Sequence, residues 1–174
     1  MQYCYVETPI GPLLIVGDSE AVRRIEFPES GRARLPEAGW TDAASGPVGE
    51  AARQLREYFS GTRTAFDLPL APEGTDFQRA VWRLLQDIPY GETISYGELA
   101  RRAGNAKASR AVGAANGANP IPIVIPCHRV IGSNGKLTGF GGGLPTKEAL
   151  LSLEARQLGF FVSGRPVHAG HGHA

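Results

Sequence analysis

The chain has 174 residues, of which 42% are hydrophobic, with 18 Lys/Arg against 17 Asp/Glu, 23 glycines and 13 prolines. That length holds one ordinary domain or two small ones with enough apolar residues for a core, and the near-average composition argues against wholesale disorder. A net charge of +1 argues against a strongly basic nucleic-acid binder.

The charge is nevertheless uneven. Residues 1–75 carry seven basic against eleven acidic residues, 76–130 seven against four, and 131–174 four against two. The asymmetry permits nucleic-acid contact by the second part without requiring it.

The opening run MQYCYVETPIGPLLIVGDSE lacks a basic start, a continuous apolar stretch and a small-residue cleavage site. No signal peptide is read there, and a cytoplasmic location is expected. No apolar run reaches membrane-spanning length, so no membrane partner is expected. Cys4 and Cys127 should both stay thiols in that compartment. Two cysteines fall short of a four-thiolate zinc site, and no metal site is expected.

Residues 4–7, 13–16 and 21–27 are short and β-rich, and the Pro/Gly and Gly-Asp-Ser separators between them predict an antiparallel meander. Residues 31–46 read as a loop. From 47 to 59 the spacing of Val48, Ala51, Ala52, Leu55, Tyr58 and Phe59 predicts a helix, with Gly61 as its stop. Residues 65–70 read as one more strand and 71–74 as a linker, which places a domain boundary at residue 74.

The second part changes character. Thr75 or Asp76 caps a helix whose apolar face holds Phe77, Val81, Trp82, Leu84 and Leu85. A second helix runs from about Ser95 to a Gly104-Asn105 stop, and a third from about Ala108 to Asn116. Two short helices joined by a few residues containing Gly fit a helix-turn-helix. The third helix is mostly Ser, Ala and Gly, which suits either tight packing or a close approach to a nucleic-acid groove. A Pro-rich run over 119–126, a Gly-rich loop over 132–143 and a last helix over about 146–157 follow. A flexible tail is expected over 161–174, where His168, His171 and His173 lie.

The most informative stretch is Ile121-Pro122-Ile123-Val124-Ile125-Pro126-Cys127-His128-Arg129-Val130-Ile131. A proline-braced apolar segment delivers a Cys beside a His and an Arg. Neighbouring basic groups raise the thiolate fraction of a cysteine, and a thiolate that accepts an alkyl group keeps it as a stable thioether. A Cys-His pair alone is more often an inert core thiol beside a satisfied His, so the pair by itself is weak evidence.

The wider pattern resembles the O6-methylguanine-DNA methyltransferase family. Its active-site core stands here as Pro126-Cys127-His128-Arg129-Val130. Asp76-Phe77-Gln78 with Val81-Trp82, Gly91-Glu92-Thr93-Ile94-Ser95-Tyr96, Ser109-Arg110-Ala111-Val112-Gly113, Asn119-Pro120, Gly139-Phe140-Gly141-Gly142-Gly143-Leu144, Lys147, Leu150-Leu151 and Glu154 match in order. The match is dense over about residues 75–158, and the first part is similar to the family's weaker-patterned first domain.

The resemblance implies an α+β fold. A small sheet-plus-helix domain of ribonuclease H-like type (1–74) would precede a helical winged helix-turn-helix domain (75–160). It implies a single-turnover transfer of an alkyl group from O6-alkylguanine, and from O4-alkylthymine, in duplex DNA to Cys127. His128 would be the general base through a bridging water, Glu154 its orienter, Asn119 a hinge, and Tyr96 a donor toward guanine N3. Arg110 would fill the gap left by the flipped nucleotide, and Ser95, Ser109, Ala111, Ala115 and Arg129 would also contact DNA. Tyr96, Val130, Phe140 and Gly141 would line the base pocket. No cofactor is implied, because the DNA itself is the alkyl donor. A monomer is expected, with cooperative assembly on DNA left open.

Overall fold

A computed structural model describes residues 1–132, 134–135 and 142–161, with side chains up to residue 158. The expected pocket residues Phe140 and Gly141, and the tail with its three histidines, lie outside the described residues. The chain divides into two compact units. The first comprises residues 1–73 with 120–122, and the second residues 74–119 with the described residues from 123 on.

In the first unit, β1 (Gln2–Val6), β2 (Leu13–Gly17) and β3 (Val22–Glu26) form the expected antiparallel meander. Every residue of β2 is buried, which explains its unbroken apolar run: the strand is central and covered on both faces. The β2–β3 register shifts at Gly17, where an added Cβ would collide with the Ala21 carbonyl. The helix α1 (Gly46–Ser60) buries Val48, Ala51, Ala52, Leu55 and Tyr58 against β1 and β2. It ends, as expected, on Gly61 in the left-handed region, at φ 84°. Cys4 is buried here, with Sγ 3.5 Å from the Val48 carbonyl, and burial pushes its thiol up to about 11.

Two features of this unit differ from the sequence reading. The presumed loop contains β4 (Thr41–Asp42), paired in parallel with β1, so the sheet order is β3-β2-β1-β4. Residues 65–70 do not form a strand. The Gln54 side chain takes both backbone groups of Asp67 (Nε2 to O 3.0 Å, Oε1 from N 2.9 Å), and Pro69 has no N–H to give. Only Leu70 makes an isolated bridge, to Val22. The first unit also takes in Pro120–Pro122, where the Ile25 N–H donates to the Pro120 carbonyl at 3.0 Å.

The second unit begins with α2 (Asp76–Leu85), capped by Thr75. The Gln78 N–H donates to Thr75 Oγ1 (3.1 Å), and the Thr75 N–H donates back to Gln78 Oε1 (2.9 Å). This reciprocal pair satisfies two otherwise orphaned donors. Thr75→Ala is expected to cost about 1 kcal/mol, read as a lower urea midpoint with an unchanged denaturant slope. Of the expected apolar face, Val81, Trp82 and Leu85 are buried, Leu84 is half-buried and Phe77 is exposed. Phe77 lies on the first turn, ahead of the stripe that packs.

The helix pair is α3 (Tyr96–Arg102), capped by Ser95 Oγ accepting from the Glu98 N–H at 3.0 Å, and α4 (Ser109–Gly117). Trp82 Nε1 donates to the Ala115 carbonyl at 2.8 Å, fastening α2 to α4. Two short strands that the sequence did not suggest, β5 (Ile94–Ser95) and β6 (Val130–Ile131), pair in parallel. The last helix, α5 (Leu144–Phe161), is longer at both ends than its apolar spacing implied. Among the described residues no helix is long and apolar enough to cross a membrane.

Candidate active site

All ten residues from Ile121 to Val130 are buried. Within this run Ile123 is held at φ 75°, a conformation that costs a β-branched residue on the order of 1–3 kcal/mol. The Asn119 side chain spans the turn, donating from Nδ2 to the Ile125 carbonyl at 2.8 Å. A single 3-10 turn, Cys127–Arg129, follows Pro126 and carries the reactive side chains. From α4, Asn116 donates from Nδ2 to the Cys127 carbonyl at 3.4 Å.

The thiol of Cys127 is enclosed. Burial pushes it up to about 11, against the opposing influence of a hydrogen bond from Asn119 and the charge of Lys147. Burial also holds the His128 imidazole below its ordinary value, and this outweighs the pull of Glu154 toward the charged form. At neutral pH the site therefore holds a protonated thiol and a neutral imidazole.

Glu154 binds this imidazole, with His128 Nε2 2.7 Å from Oε2. The same carboxylate accepts from Arg129 Nε (Oε1, 2.9 Å), Arg129 Nη2 (Oε2, 2.9 Å) and the Gly91 N–H (Oε1, 3.0 Å). Burial opposes its ionisation, but the hydrogen bonds from His128 and Arg129 and the charge of Arg129 win and hold it well below the usual carboxylate range. Because His128 is neutral, it supplies a hydrogen bond, and the permanent positive charge comes from Arg129. An ionised carboxylate can only accept, so Nε2 carries the imidazole proton and Nδ1 keeps its lone pair. Nδ1 is buried and meets no hydrogen-bond partner among the described residues.

The pairing of β5 with β6 sets Ile94 beside Val130 and Ser95 beside Ile131, which brings Tyr96 to the edge of the reactive turn. On α5, Lys147, Leu150, Leu153 and Glu154 are buried, which is the stripe a helix turns inward. Lys147 Nζ donates to the Val130 carbonyl at 2.6 Å and lies 5.9 Å from the Tyr96 ring centroid. Burial pulls this ammonium down to about 8, partly offset by its attraction to Cys127. A carbonyl has two lone pairs, so Val130 can still accept from a second donor.

The helix pair sorts the expected DNA-contact residues. Arg110 and Ala111 are exposed on α4, and Ser109 and Ser95 are half-buried. Ala115 is buried and its carbonyl is taken by Trp82, so it is a core residue and not a DNA contact. Arg129 is also corrected. It is 6% exposed, its Nη1 donates to the Ile88 carbonyl at 2.7 Å, and its other nitrogens are committed to Glu154. Lys147 and Asn116 had no role in the sequence reading. A Lys and a Glu at the two ends of an i, i+3, i+6, i+7 stripe whose middle positions, Leu150 and Leu153, are apolar were the available signal.

Fold and site together define a mixed α+β protein whose helical unit holds a buried thiol. An imidazole, a carboxylate and a guanidinium lie in series beside it. The family model for the 6-O-methylguanine DNA methyltransferase ribonuclease-like domain matches residues 1–72, and that for the DNA binding domain matches residues 76–156. The chain belongs to the 6-O-methylguanine DNA methyltransferase family.

It is 52% identical over 154 residues to the methylated-DNA–protein-cysteine methyltransferase of Methanosarcina acetivorans, covering 88% of this chain and 98% of the relative. It is 49% identical over 156 residues to that of Mycolicibacterium paratuberculosis, covering 90% and 93%. The crystal structure of Mycobacterium tuberculosis OGT in complex with DNA superposes with a TM-score of 0.82 at 46% identity, covering 90% of this chain and 94% of that one.

Proposed function

We propose that this protein repairs duplex DNA by direct reversal, moving an alkyl group from O6 of guanine, or O4 of thymine, onto Cys127. The reading rests on one observation above all: a buried thiol on the same turn as an imidazole whose Nε2 is held by an ionised carboxylate, leaving Nδ1 as a base. Residues 75–160 would form the DNA-binding and acceptor domain, and 1–74 the domain that precedes it.

An O6 atom inside a duplex is out of reach of a protein thiol, so the base must leave the stack at a cost of a few kcal/mol. Arg110, exposed on the first turn of α4, would fill the gap and offset part of that cost. The exposed Ala111, Ala114 and Gly117 on the same helix allow close approach to a minor groove with little reading of sequence.

In the transfer step the Cys127 proton passes to His128 Nδ1, relayed by one water, because adjacent residues do not present thiol and imidazole face to face. Sulfur then attacks the alkyl carbon. The carbon–O6 bond breaks, and its electron pair returns to the guanine ring. The Tyr96 hydroxyl, donating toward N3, stabilises the charge that develops there. The product thioether is inert, so each molecule acts once.

The test is intact-protein mass after mixing with a duplex containing one O6-methylguanine, beside Cys127→Ala. A gain of one methyl that stops at one equivalent and vanishes in the variant is expected. Unchanged mass with the damaged duplex still bound would instead indicate a damage-binding protein without transferase activity.

A further inference from the structure

The guanidinium of Arg129 does more than neutralise a buried charge. Its Nε and Nη2 meet the two oxygens of Glu154 in parallel, at 2.9 Å each, a fork-on-fork contact that fixes the plane of the carboxylate. Arg129 is itself anchored by Nη1 on the Ile88 carbonyl at 2.7 Å, and it lies 5.7 Å from the centroid of the Tyr90 ring. The Gly91 N–H fixes Oε1 from another side at 3.0 Å. Glu154 is thus oriented by groups other than the histidine it serves, and it presents Oε2 to His128 Nε2 at 2.7 Å. A carboxyl that could take up a proton would donate to the other imidazole tautomer, and one free to rotate would leave Nε2 without a fixed acceptor and either tautomer open. The forked contact removes that freedom.

We propose that Arg129 is a positioning residue for alkyl transfer: by holding Glu154 as an oriented anion it locks His128 in the Nε2–H tautomer and reserves Nδ1 as the base. The inference rests on the transfer reading for its consequence, but its physical content is the state of one imidazole. Lysine at this position would keep the charge and lose the fork, because an ammonium is a point charge without planar bidentate geometry.

The experiment is ¹⁵N NMR of the histidine side chains in the full chain at neutral pH, with His128→Gln to assign the signals. The wild type, Arg129→Lys and Arg129→Gln are compared, and the methyl-transfer rate and affinity for unmodified duplex are measured on the same samples. Wild type should show Nε2 protonated and Nδ1 unprotonated. Arg129→Lys should stay folded, bind duplex as before, show averaging between the tautomers and transfer methyl about a hundredfold more slowly, the usual value of a general base.

A folded Arg129→Lys with the wild-type tautomer and rate would overturn the proposal. So would a wild-type spectrum with Nδ1 protonated, whatever the variants do, including failure of either to fold. If the wild type shows the expected tautomer yet accepts no methyl group, the transfer reading fails and the assignment of Arg129 to His128 stands.

Discussion

Glu154→Gln is expected to slow methyl transfer about a hundredfold and to destabilise the protein by roughly 3–5 kcal/mol. The side chain is 1% exposed and accepts from four donors: His128 Nε2, Arg129 Nε, Arg129 Nη2 and the Gly91 N–H. Glutamine has nearly the same shape but only one accepting end. Whichever way the amide is turned, its NH2 faces a donor of Arg129, and one orientation also selects the wrong tautomer of His128. The guanidinium is left buried without a counter-charge, which is the costly way to break such a pair. The melting temperature should fall by roughly 10 °C or more.

The pH dependence carries a second signature. His128 is held below its ordinary value of 6.5, so the unfolded chain binds that proton first, and stability is lost as pH falls below about 6.5. Glu154 is held below 4.5, so its contribution is present above that value and is lost as pH falls further toward the folded-state value. The variant should lose the lower limb of this acid profile. A variant with wild-type melting temperature, acid profile and single-turnover rate would show that the carboxylate neither orients nor balances anything.

Much of this was legible in the sequence because the elements obey strong periods. The meander showed itself through β-rich runs cut by turn residues, and α1 through its 3.6-residue spacing. What escaped was short or paired at a distance. β4 is two exposed residues, Thr41 and Asp42, with no pattern to read, and β5 and β6 are two residues each, meaningful only as partners. The 65–70 strand failed because a side chain thirteen residues earlier, Gln54, takes the backbone hydrogen bonds a strand would need.

The site divides in the same way. Cys127 and His128 lie next to each other in the chain, and Glu154 came with them through the family resemblance. Arg129 was misassigned because an Arg in a DNA-binding segment reads as a phosphate contact, while the carboxylate that claims it lies 25 residues on. Ala115 lies on an i, i+3, i+4 buried stripe of α4 with Val112 and Asn116, which spacing does not single out on a helix where the exposed Ala111 and Ala114 are just as small and apolar. Lys147 is the residue for which sequence gave least. Its charge is buried, and a lysine is ordinarily read as surface.

Lys147→Met, in a Cys4→Ala background so that only one thiol responds, is expected to slow the reaction of Cys127 with iodoacetamide about tenfold at pH 7.5, one unit of thiol pKa. The ammonium is coupled to the thiol and favours its anion. Methionine fills similar space without charge, so the thiol, already near 11, should rise further.

The shape of the pH profile separates this from a packing effect. In the wild type the lysine loses its proton from about pH 8, and from there each further thiolate must form without the neighbouring cation. Thiolate paired with ammonium and thiol paired with amine carry the same number of protons, so their ratio stops changing with pH. The reaction rate should therefore flatten above about pH 8 in the wild type and climb with unit slope in the variant. Four neighbouring groups do not change state in that window: His128 is neutral, Glu154 ionised, Arg129 cationic by nature, and Tyr90 is pushed up to about 12. A variant whose rate falls while its profile still flattens near pH 8 would assign the break to a group other than Lys147 and leave the lysine with a purely structural hold on the Val130 carbonyl.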